Sequence, residues 1–322
     1  MRYHFIHVGL GKCMSTTLQN IWQRSSNTHF ESGVPLVRAA NELVRKHRHR
    51  LTEMPQFNLQ GNTPVGEVRV LSAEGFSYSF LNAPEDACLI GPKQTHLAQS
   101  LAELSPTVLV LVRDPLAWIR SCHAQSIHQG GFETAREFLS HQREVVLENL
   151  NLKRFLQIWR DRGVRPVVLP MELFLGDSHR FWATYETLLG VPIPSDCSEP
   201  EGIGRNRSHP DKLPLAAAIN RLQHMLQVMV RQSDAPDKGT IVDGLELVKR
   251  WGARRALEKA EPADLEALSS RIEVDDKQAF LEFSLDLECI DRLVSDYVEP
   301  LRGFDAMGEF ISGYEQSLED CR

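Results

Sequence analysis

A short loop near the amino terminus holds the residue types that bind a phosphate group. Gly9 and Gly11 let the backbone turn sharply and come close to a ligand, and Lys12 adds a mobile positive charge. Three consecutive hydroxyl residues follow, where a helix is predicted to begin: Ser15, Thr16 and Thr17. Because the N–H groups of a first helical turn have no partner within the helix, they and the hydroxyls can bind the same anion. The loop therefore predicts a phosphate site.

Two other interpretations of this loop compete with phosphate binding of this kind. In the first, the hydroxyl side chains only cap an ordinary helix and Lys12 is solvated. In the second, the loop is a Walker A motif, G-x-x-x-x-G-K-[ST], in which the Ser or Thr directly follows the Lys. Here Cys13 and Met14 separate Lys12 from Ser15, which argues against that motif. The close grouping of strand, glycines, Lys and hydroxyls favours a phosphate site over a simple cap.

The spacing resembles the 5′-phosphosulfate loop of the sulfotransferases, whose common bacterial form is P-K-T-G-T-T-S-L-Q. In that register Lys12 matches the loop Lys, and Leu18 and Gln19 match the end of the loop. Gly11 replaces the usual Pro and Met14 replaces the usual Gly, so a left-handed backbone at residue 14 would be costly. The resemblance implies that one continuous segment binds the donor: Gly11, Lys12, Cys13, Met14, Ser15, Thr16 and Thr17.

A second candidate anion site follows the most apolar segment of the chain, Thr107–Val112. Arg113, Asp114 and Pro115 open a predicted helix that includes Ser121, eight residues after the Arg. An Arg can bind a phosphate through two parallel hydrogen bonds, and a Ser hydroxyl can add a third. In spacing and residue type the segment resembles the 3′-phosphate motif of sulfotransferases. The competing interpretation is an ordinary helix start whose Arg is paired locally.

A third segment, Arg205-Asn206-Arg207-Ser208, resembles the N-x-S segment that lies late in many bacterial sulfotransferases. Two arginines beside polar residues also describe an ordinary surface loop. Through the resemblance, Arg205, Asn206 and Arg207 join the predicted donor site.

Two carboxylates are candidates for the base that takes a proton from an acceptor. Glu74 follows a predicted strand, residues 67–72, and so lies where open α/β sheets bind their ligands. Glu31 ends a second predicted strand, residues 28–31, where some sulfotransferases carry a catalytic Glu. Both are therefore expected at the carboxyl edge of the sheet.

His96 is the third candidate base. Thr95 is a plausible N-cap, so His96 is expected in the first turn of a helix, where the positive helix end would keep the imidazole neutral. The fragment resembles the K-T-H-L-P segment that carries the catalytic His of cytosolic sulfotransferases, but Gln94 is inserted and Ala98 replaces the Pro. A surface His without a catalytic role fits the same pattern, and spacing does not choose among the three candidates.

Apolar segments predict the elements that position these residues. Six short segments have the composition of strands: residues 5–8, 28–31, 67–72, 88–91, 107–112 and 165–169. Helical spacing follows most of them, and residues 107–112 are continuously apolar, as expected of a parallel strand covered on both faces. This alternation predicts an α/β fold with a mainly parallel central sheet.

The resemblance implies a P-loop-like three-layer sandwich with a helical C-terminal region. The chain has 322 residues and 42% hydrophobic content, enough for a sizeable core. We predict one domain over residues 1–322, with an α/β core and both donor motifs in residues 1–200. Residues 201–322 form a mostly helical extension in this prediction.

Composition narrows the class of partner. The net charge of −7 gives no general attraction to nucleic acid or to acidic membranes. Six scattered cysteines form no C-x-x-C pair or metal-type cluster, which indicates reduced thiols and no metal site.

The first residues lead directly into a strand, and no apolar run approaches the ~20 residues of a membrane span. A cytoplasmic protein without a membrane span is expected.

Together the motifs imply sulfuryl transfer from 3′-phosphoadenosine 5′-phosphosulfate (PAPS) to an acceptor hydroxyl or amine, with no metal required. Lys12 would stabilise charge on the bridging oxygen. The alternatives are a P-loop kinase or NTPase, with Asp114 as the magnesium-holding acid, and a non-catalytic nucleotide-binding module. The acceptor, whether small molecule, glycan, lipid or peptide, and the oligomeric state stay open, because loops such as residues 52–66 carry no readable specificity code.

Overall fold

Five parallel strands form one sheet in the computed structural model of the chain, which describes residues 3–46, 67–77, 84–197, 212–232 and 280–322. The strands are β1 (Phe5–His7), β2 (Thr28–Ser32), β3 (Val68–Ser72), β4 (Thr107–Val112) and β5 (Arg165–Pro170). Their order is β2-β3-β1-β4-β5, and every neighbouring pair is parallel. The central strands β1, β3 and β4 are buried throughout, as parallel strands between helical layers must be. The predicted α/β fold with a mainly parallel sheet is confirmed.

Helices connect and follow the strands. In chain order they are α1 (Ser15–Arg24), α2 (Val34–Lys46), α3 (Ile90–Leu101), α4 (Pro115–His128), α5 (Ala135–Asn149), α6 (Leu152–Arg160), α7 (Met171–Gly176), α8 (Ser178–Leu189), α9 (Leu213–Gln232), α10 (Leu287–Leu293) and α11 (Ile311–Glu319). Beyond residue 200 the described residues contain helices and no strand, in agreement with the predicted helical C-terminal region. Among the described helices, none carries an apolar stretch long enough to cross a bilayer.

The strand order makes the connections of the sheet diverge at the carboxyl end of β1. From β1 the chain moves outward to β2, whereas each later connection runs in the opposite direction across the sheet. Because crossovers between parallel strands are right-handed, α1 covers one face and the connections after β2 cover the other. A loop at a strand end where the connections diverge lies in the position that binds ligands in open α/β sheets.

Aromatic packing fixes α1 against the sheet. Trp22 of α1 and Tyr185 of α8 both meet Phe5 of β1 edge to face, with ring centroids 5.7 Å and 5.8 Å away. Leu18 and Ile21 of α1 are fully buried beside Trp22, which gives the helix one apolar face at i, i+3 and i+4 spacing. These contacts anchor α1 against β1.

The predicted strand at residues 88–91 is wrong. Residues 84–89 form a 3₁₀ helix that leads directly into α3. The apolar run is only four residues long, and such a run cannot be distinguished from part of a buried helix by its periodicity. The longer pattern is helical, since Ile90, Leu97 and Leu101 are all buried on α3.

The chain divides into two compact units. The first comprises Met1–Trp118, Gln142–Arg205 and Leu285–Arg322, and it contains all five strands. The second comprises Ile119–His141 and Asn206–Ser284. Within it, the Asn220 side chain of α9 donates hydrogen bonds to the carbonyls of Ile127 and Gly131, at 2.8 Å and 2.7 Å. That residues 1–322 act as one domain stays a prediction.

Candidate phosphate-binding site

The loop between β1 and α1 contains two non-glycine residues with a left-handed backbone. Lys12 has φ 69°, and Met14 has φ 64° and ψ 11°. That conformation costs a residue with a side chain roughly 1–2 kcal/mol. Met14 therefore adopts the left-handed backbone despite the cost that the sequence analysis assigned to it. Such strain persists only where surrounding contacts hold it in place.

Two side chains beyond β4 hold the carbonyls of this loop. Trp118 donates from Nε1 to the Gly11 carbonyl at 2.6 Å, and Arg113 donates from Nη1 to the Lys12 carbonyl at 3.3 Å. With these oxygens engaged by donors, the loop presents less negative charge to a bound anion. The first and second predicted motifs are thus joined by hydrogen bonds.

The amino end of α1 has unmet hydrogen-bonding capacity. Met14 is its N-cap and supplies no side-chain hydrogen bond to the first turn. Ser15 is 1% exposed, and its Oγ faces the Glu74 carboxylate but makes no hydrogen bond of ordinary geometry within the described residues. A buried hydroxyl and uncapped N–H groups at one helix end are the donors that an anion would satisfy.

Position 9 has no room for a side chain, so only a glycine fits there. A Cβ at this position would lie 2.5 Å from Ser15 Oγ and 2.6 Å from His7 Nε2, closer than a side chain permits. The Gly9 carbonyl accepts a hydrogen bond from Ser77 Oγ at 2.7 Å. Gly9 is therefore required by the close approach of two polar side chains, one of them the hydroxyl of Ser15.

Glu74 lies against the loop, in accord with its expected place at the carboxyl edge of the sheet. It begins a 3₁₀ helix, Glu74–Phe76, just after β3. Burial raises the pKa of this carboxyl group, while the positive charge of Lys12 and the hydroxyls of Thr16 and Ser15 lower it in part. The same interactions show that the carboxylate is near three residues of the predicted donor loop.

His96 does not lie at a helix start. It is the seventh residue of α3, and the Thr95 hydroxyl donates to the Gly91 carbonyl at 3.0 Å instead of capping the helix. The pKa of His96 is lowered, first by partial burial and then by the charge of Arg162. The imidazole is biased toward its neutral form as expected, but the helix N-terminus is not the cause.

The side chain of Glu31 is bound on β2. Its Oε2 accepts a hydrogen bond from the Tyr3 hydroxyl at 2.5 Å and lies 3.4 Å from Nη2 of Arg69. The Arg69 guanidinium also covers the Tyr3 ring, 4.9 Å from its centroid. These contacts give Glu31 a structural role between the strands.

The second motif begins directly after β4. Ser121 lies on α4, seven residues into the helix, and is half-buried. Asp114 caps α4: its Oδ1 accepts from the Ala117 N–H at 2.6 Å, and its Oδ2 accepts from the Ser317 hydroxyl. Both carboxylate oxygens are therefore engaged in holding local structure. The third segment, with Arg205, Asn206 and Arg207, lies outside the described residues.

Several residues of this site were not singled out in the sequence analysis. Trp118 lies inside the second motif, and a Trp at that spacing could have been noticed. Ser77 and Tyr297 are tied to the site only through contacts between distant parts of the chain, with the Gly9 carbonyl and the Arg113 N–H. Among the described residues, no group of three or more His, Cys, Asp or Glu side chains could hold a metal ion.

Comparisons with known proteins find little. No family model and no curated protein matches the chain. A solved structure, a sulfotransferase from Alicyclobacillus acidocaldarius, is similar at 15% identity over 72% of this chain and 97% of that chain, with a TM-score of 0.42. A likeness this distant identifies neither an activity nor a ligand.

Proposed function

We propose that this chain is a sulfotransferase that moves a sulfuryl group from PAPS to an acceptor hydroxyl or amine. The observation that carries the proposal is the direct contact between the two predicted anion motifs. Arg113 bonds to the Lys12 carbonyl and Trp118 bonds to the Gly11 carbonyl. A donor with a 5′-phosphosulfate and a 3′-phosphate needs two anion sites that are close together and held in a fixed relation.

The residues on the loop fit the 5′ end of this donor. The uncapped first turn of α1 and the buried Ser15 hydroxyl offer donors to its oxygens, and Lys12 supplies the charge. Arg113 and Ser121 are proposed to bind the 3′-phosphate. The proposal also assigns donor contacts to Arg205, Asn206 and Arg207 through their resemblance alone.

The reaction needs charge stabilisation more than covalent chemistry. An acceptor oxygen or nitrogen forms a bond to sulfur while the bond from sulfur to the bridging oxygen breaks, and adenosine 3′,5′-bisphosphate leaves. The transition state is loose, by analogy with phosphoryl transfer, so the protein positions the reactants and neutralises the leaving oxygen. Lys12 is the group proposed to do so.

Glu74 is the proposed base for the acceptor proton. It is near Lys12, Ser15 and Thr16, and β3, which it follows, lies directly beside β1. Burial raises its pKa toward the range in which a base works well at neutral pH. The other candidates are less suited, because Glu31 is bound by Tyr3 and Arg69, and His96 lies within α3 beside Arg162.

A magnesium-dependent kinase or NTPase is the main rival. It would need Asp114 to hold the metal, but both oxygens of Asp114 accept hydrogen bonds from Ala117 and Ser317. The Asp is therefore occupied as a helix cap. A non-catalytic nucleotide-binding module is the second rival, because the left-handed Met14 departs from the usual loop.

Thermal stabilisation by nucleotides tests the proposal. At one hundred times its dissociation constant, adenosine 3′,5′-bisphosphate should raise the Tm by roughly 4–6 °C, whereas ATP with magnesium should have little effect. Arg113→Ala should abolish the preference for the 3′-phosphate. Arg180→Ala is the control: it removes an exposed arginine paired with Glu309 and should leave the preference for the 3′-phosphate unchanged.

Turnover separates the remaining alternatives. Incubation with PAPS and a panel of phenol, alcohol, amine, glycan and peptide acceptors should release adenosine 3′,5′-bisphosphate with at least one of them. Tight donor binding with no transfer to any acceptor would favour the non-catalytic module. Strict magnesium-dependent hydrolysis of ATP or GTP would overturn the proposal.

A further inference from the structure

A single buried hydroxyl satisfies both backbone groups of Arg113. Tyr297 Oη accepts a hydrogen bond from the Arg113 N–H at 3.1 Å and donates one to the Arg113 carbonyl at 2.7 Å. The phenol is fully buried, and burial raises its pKa well above the ordinary value, so it keeps the proton that it donates. A hydroxyl can donate and accept at once, which makes this arrangement complete.

Arg113 needs such a partner because the sheet ends just before it. Towards β1, the carbonyls of Leu109 and Leu111 accept hydrogen bonds from the N–H groups of Val8 and Leu10, and Leu111 is the last β4 residue bonded in this way among the described residues. Tyr297 lies in a π-helical turn, Val294–Val298, which continues from α10. Single π-turns of this kind occur often at functional sites. The backbone at Arg113 is thus completed by a residue 184 positions away.

The next residue is held by the same region of the chain. The Asp114 N–H donates to Glu172 Oε1 at 2.9 Å, and the Tyr314 hydroxyl donates to Glu172 Oε2 at 2.7 Å. Ser317, three residues further along α11, donates to the Asp114 carboxylate. Two consecutive residues of the second motif are therefore fixed by α11 and by the turn that contains Tyr297.

We propose that Tyr297 is a positioning residue for donor binding, which acts by holding the backbone of Arg113 while the guanidinium of Arg113 is anchored on the Lys12 carbonyl. This inference rests on the proposed function, since it assumes that Arg113 binds the 3′-phosphate. Loss of the Tyr297 hydroxyl leaves two backbone groups of Arg113 without partners and lets the guanidinium shift. Recognition of the 3′-phosphate should then weaken more than recognition of the rest of the nucleotide.

The test compares two ligands in one variant. Calorimetry gives the dissociation constants of adenosine 3′,5′-bisphosphate and adenosine 5′-phosphate for the parent protein and for Tyr297→Phe. The ratio of the two constants measures discrimination for the 3′-phosphate, and it should fall about tenfold, the effect of one misplaced buried hydrogen bond. Tyr185→Phe is the matched control, because Tyr185 is equally buried against Phe5 and Trp182 but belongs to α8.

Each outcome bears on the inference. A fall in the ratio for Tyr297→Phe but not for Tyr185→Phe supports it. An unchanged ratio, or an equal loss of affinity for both ligands, contradicts it and leaves the proposed function standing. A parent protein that binds both ligands equally would overturn the proposed function and the inference with it.

A second variant covers the case in which Tyr297→Phe does not fold. Tyr314→Phe removes the donor to Glu172 and so loosens the acceptor of the Asp114 N–H, one residue beyond Arg113. The same ratio should fall by a smaller factor, about threefold. No change in that ratio would contradict the inference as well.

Discussion

Burial of His7 should make the stability of this protein fall as the pH drops below 6.5. His7 is the last residue of β1 and is fully buried beneath the predicted donor loop. Its Nδ1 lies 2.7 Å from Ser72 Oγ, and its ring centroid lies 5.1 Å from that of Trp22. Burial lowers the pKa of His7 from 6.5 to about 3.

The sign and the size of the effect follow from proton binding. Below pH 6.5 the unfolded chain protonates His7 but the folded chain does not, so each unit of acidity favours unfolding by about 1.4 kcal/mol. Above pH 6.5 neither state binds the proton, and the full stability is present. Between pH 8 and pH 5 the free energy of unfolding should fall by about 2 kcal/mol because of this residue. Any folded pKa below about 4 gives nearly the same value.

Urea unfolding of the parent and of His7→Gln at several pH values measures this effect. The difference between the two pH dependences removes the contribution of every other titrating group that the substitution leaves unchanged. It should amount to about 2 kcal/mol between pH 8 and pH 5. Parallel curves for the two proteins would refute the reasoning. So would an NMR titration of the folded parent in which the His7 imidazole protonates near pH 6.5.

Three further predictions concern the loop and the base. Lys12→Ala should lower kcat by at least about 100-fold but weaken binding of adenosine 3′,5′-bisphosphate less than about tenfold, because the charge acts mainly on the leaving oxygen; an unchanged kcat would contradict it. If Glu74 is the base, kcat should fall at acidic pH as the Glu74 carboxylate is protonated at its raised pKa. With the same acceptor, this fall should disappear in Glu74→Gln but persist in His96→Ala. Met14→Gly should change the free energy of unfolding by no more than about 1 kcal/mol, because relief of the left-handed strain offsets the added backbone entropy; a loss above about 2 kcal/mol in urea unfolding would refute this.

Local patterns in the sequence predicted the elements and both motifs. The continuous apolar run Thr107–Val112 is β4 over the same residues, and the hydroxyls at Ser15 begin α1. Both features are set by residues that are close in the chain. A strand buried on both faces needs a continuous run of apolar side chains, and a helix start needs nearby groups that can pair with its free N–H groups. The strand predicted at residues 88–91 was wrong for the same reason, because an apolar run of four residues is compatible with either a strand or a buried helix.

The preference for Glu74 over Glu31 as the proposed base rests on the order of strands, which the sequence does not specify. Glu74 and Glu31 both lie near strand ends, but β3 is next to β1 whereas β2 is one strand further out. Of these two positions, only the one after β3 brings a carboxylate, that of Glu74, close to Lys12. Glu31 instead meets Tyr3 and Arg69, which lie 28 and 38 residues away.

The hydrogen bonds that join the two motifs also became visible only in the tertiary structure. Residue types and spacing within about ten positions were enough to predict an anion loop at Lys12 and a second anion motif at Arg113. The bonds from Arg113 and Trp118 to the loop span 101 and 107 residues, and the bond from Tyr297 to Arg113 spans 184. Such pairs form because parallel strands bring their carboxyl ends to one edge of a sheet, and no local pattern records which distant side chains will meet there.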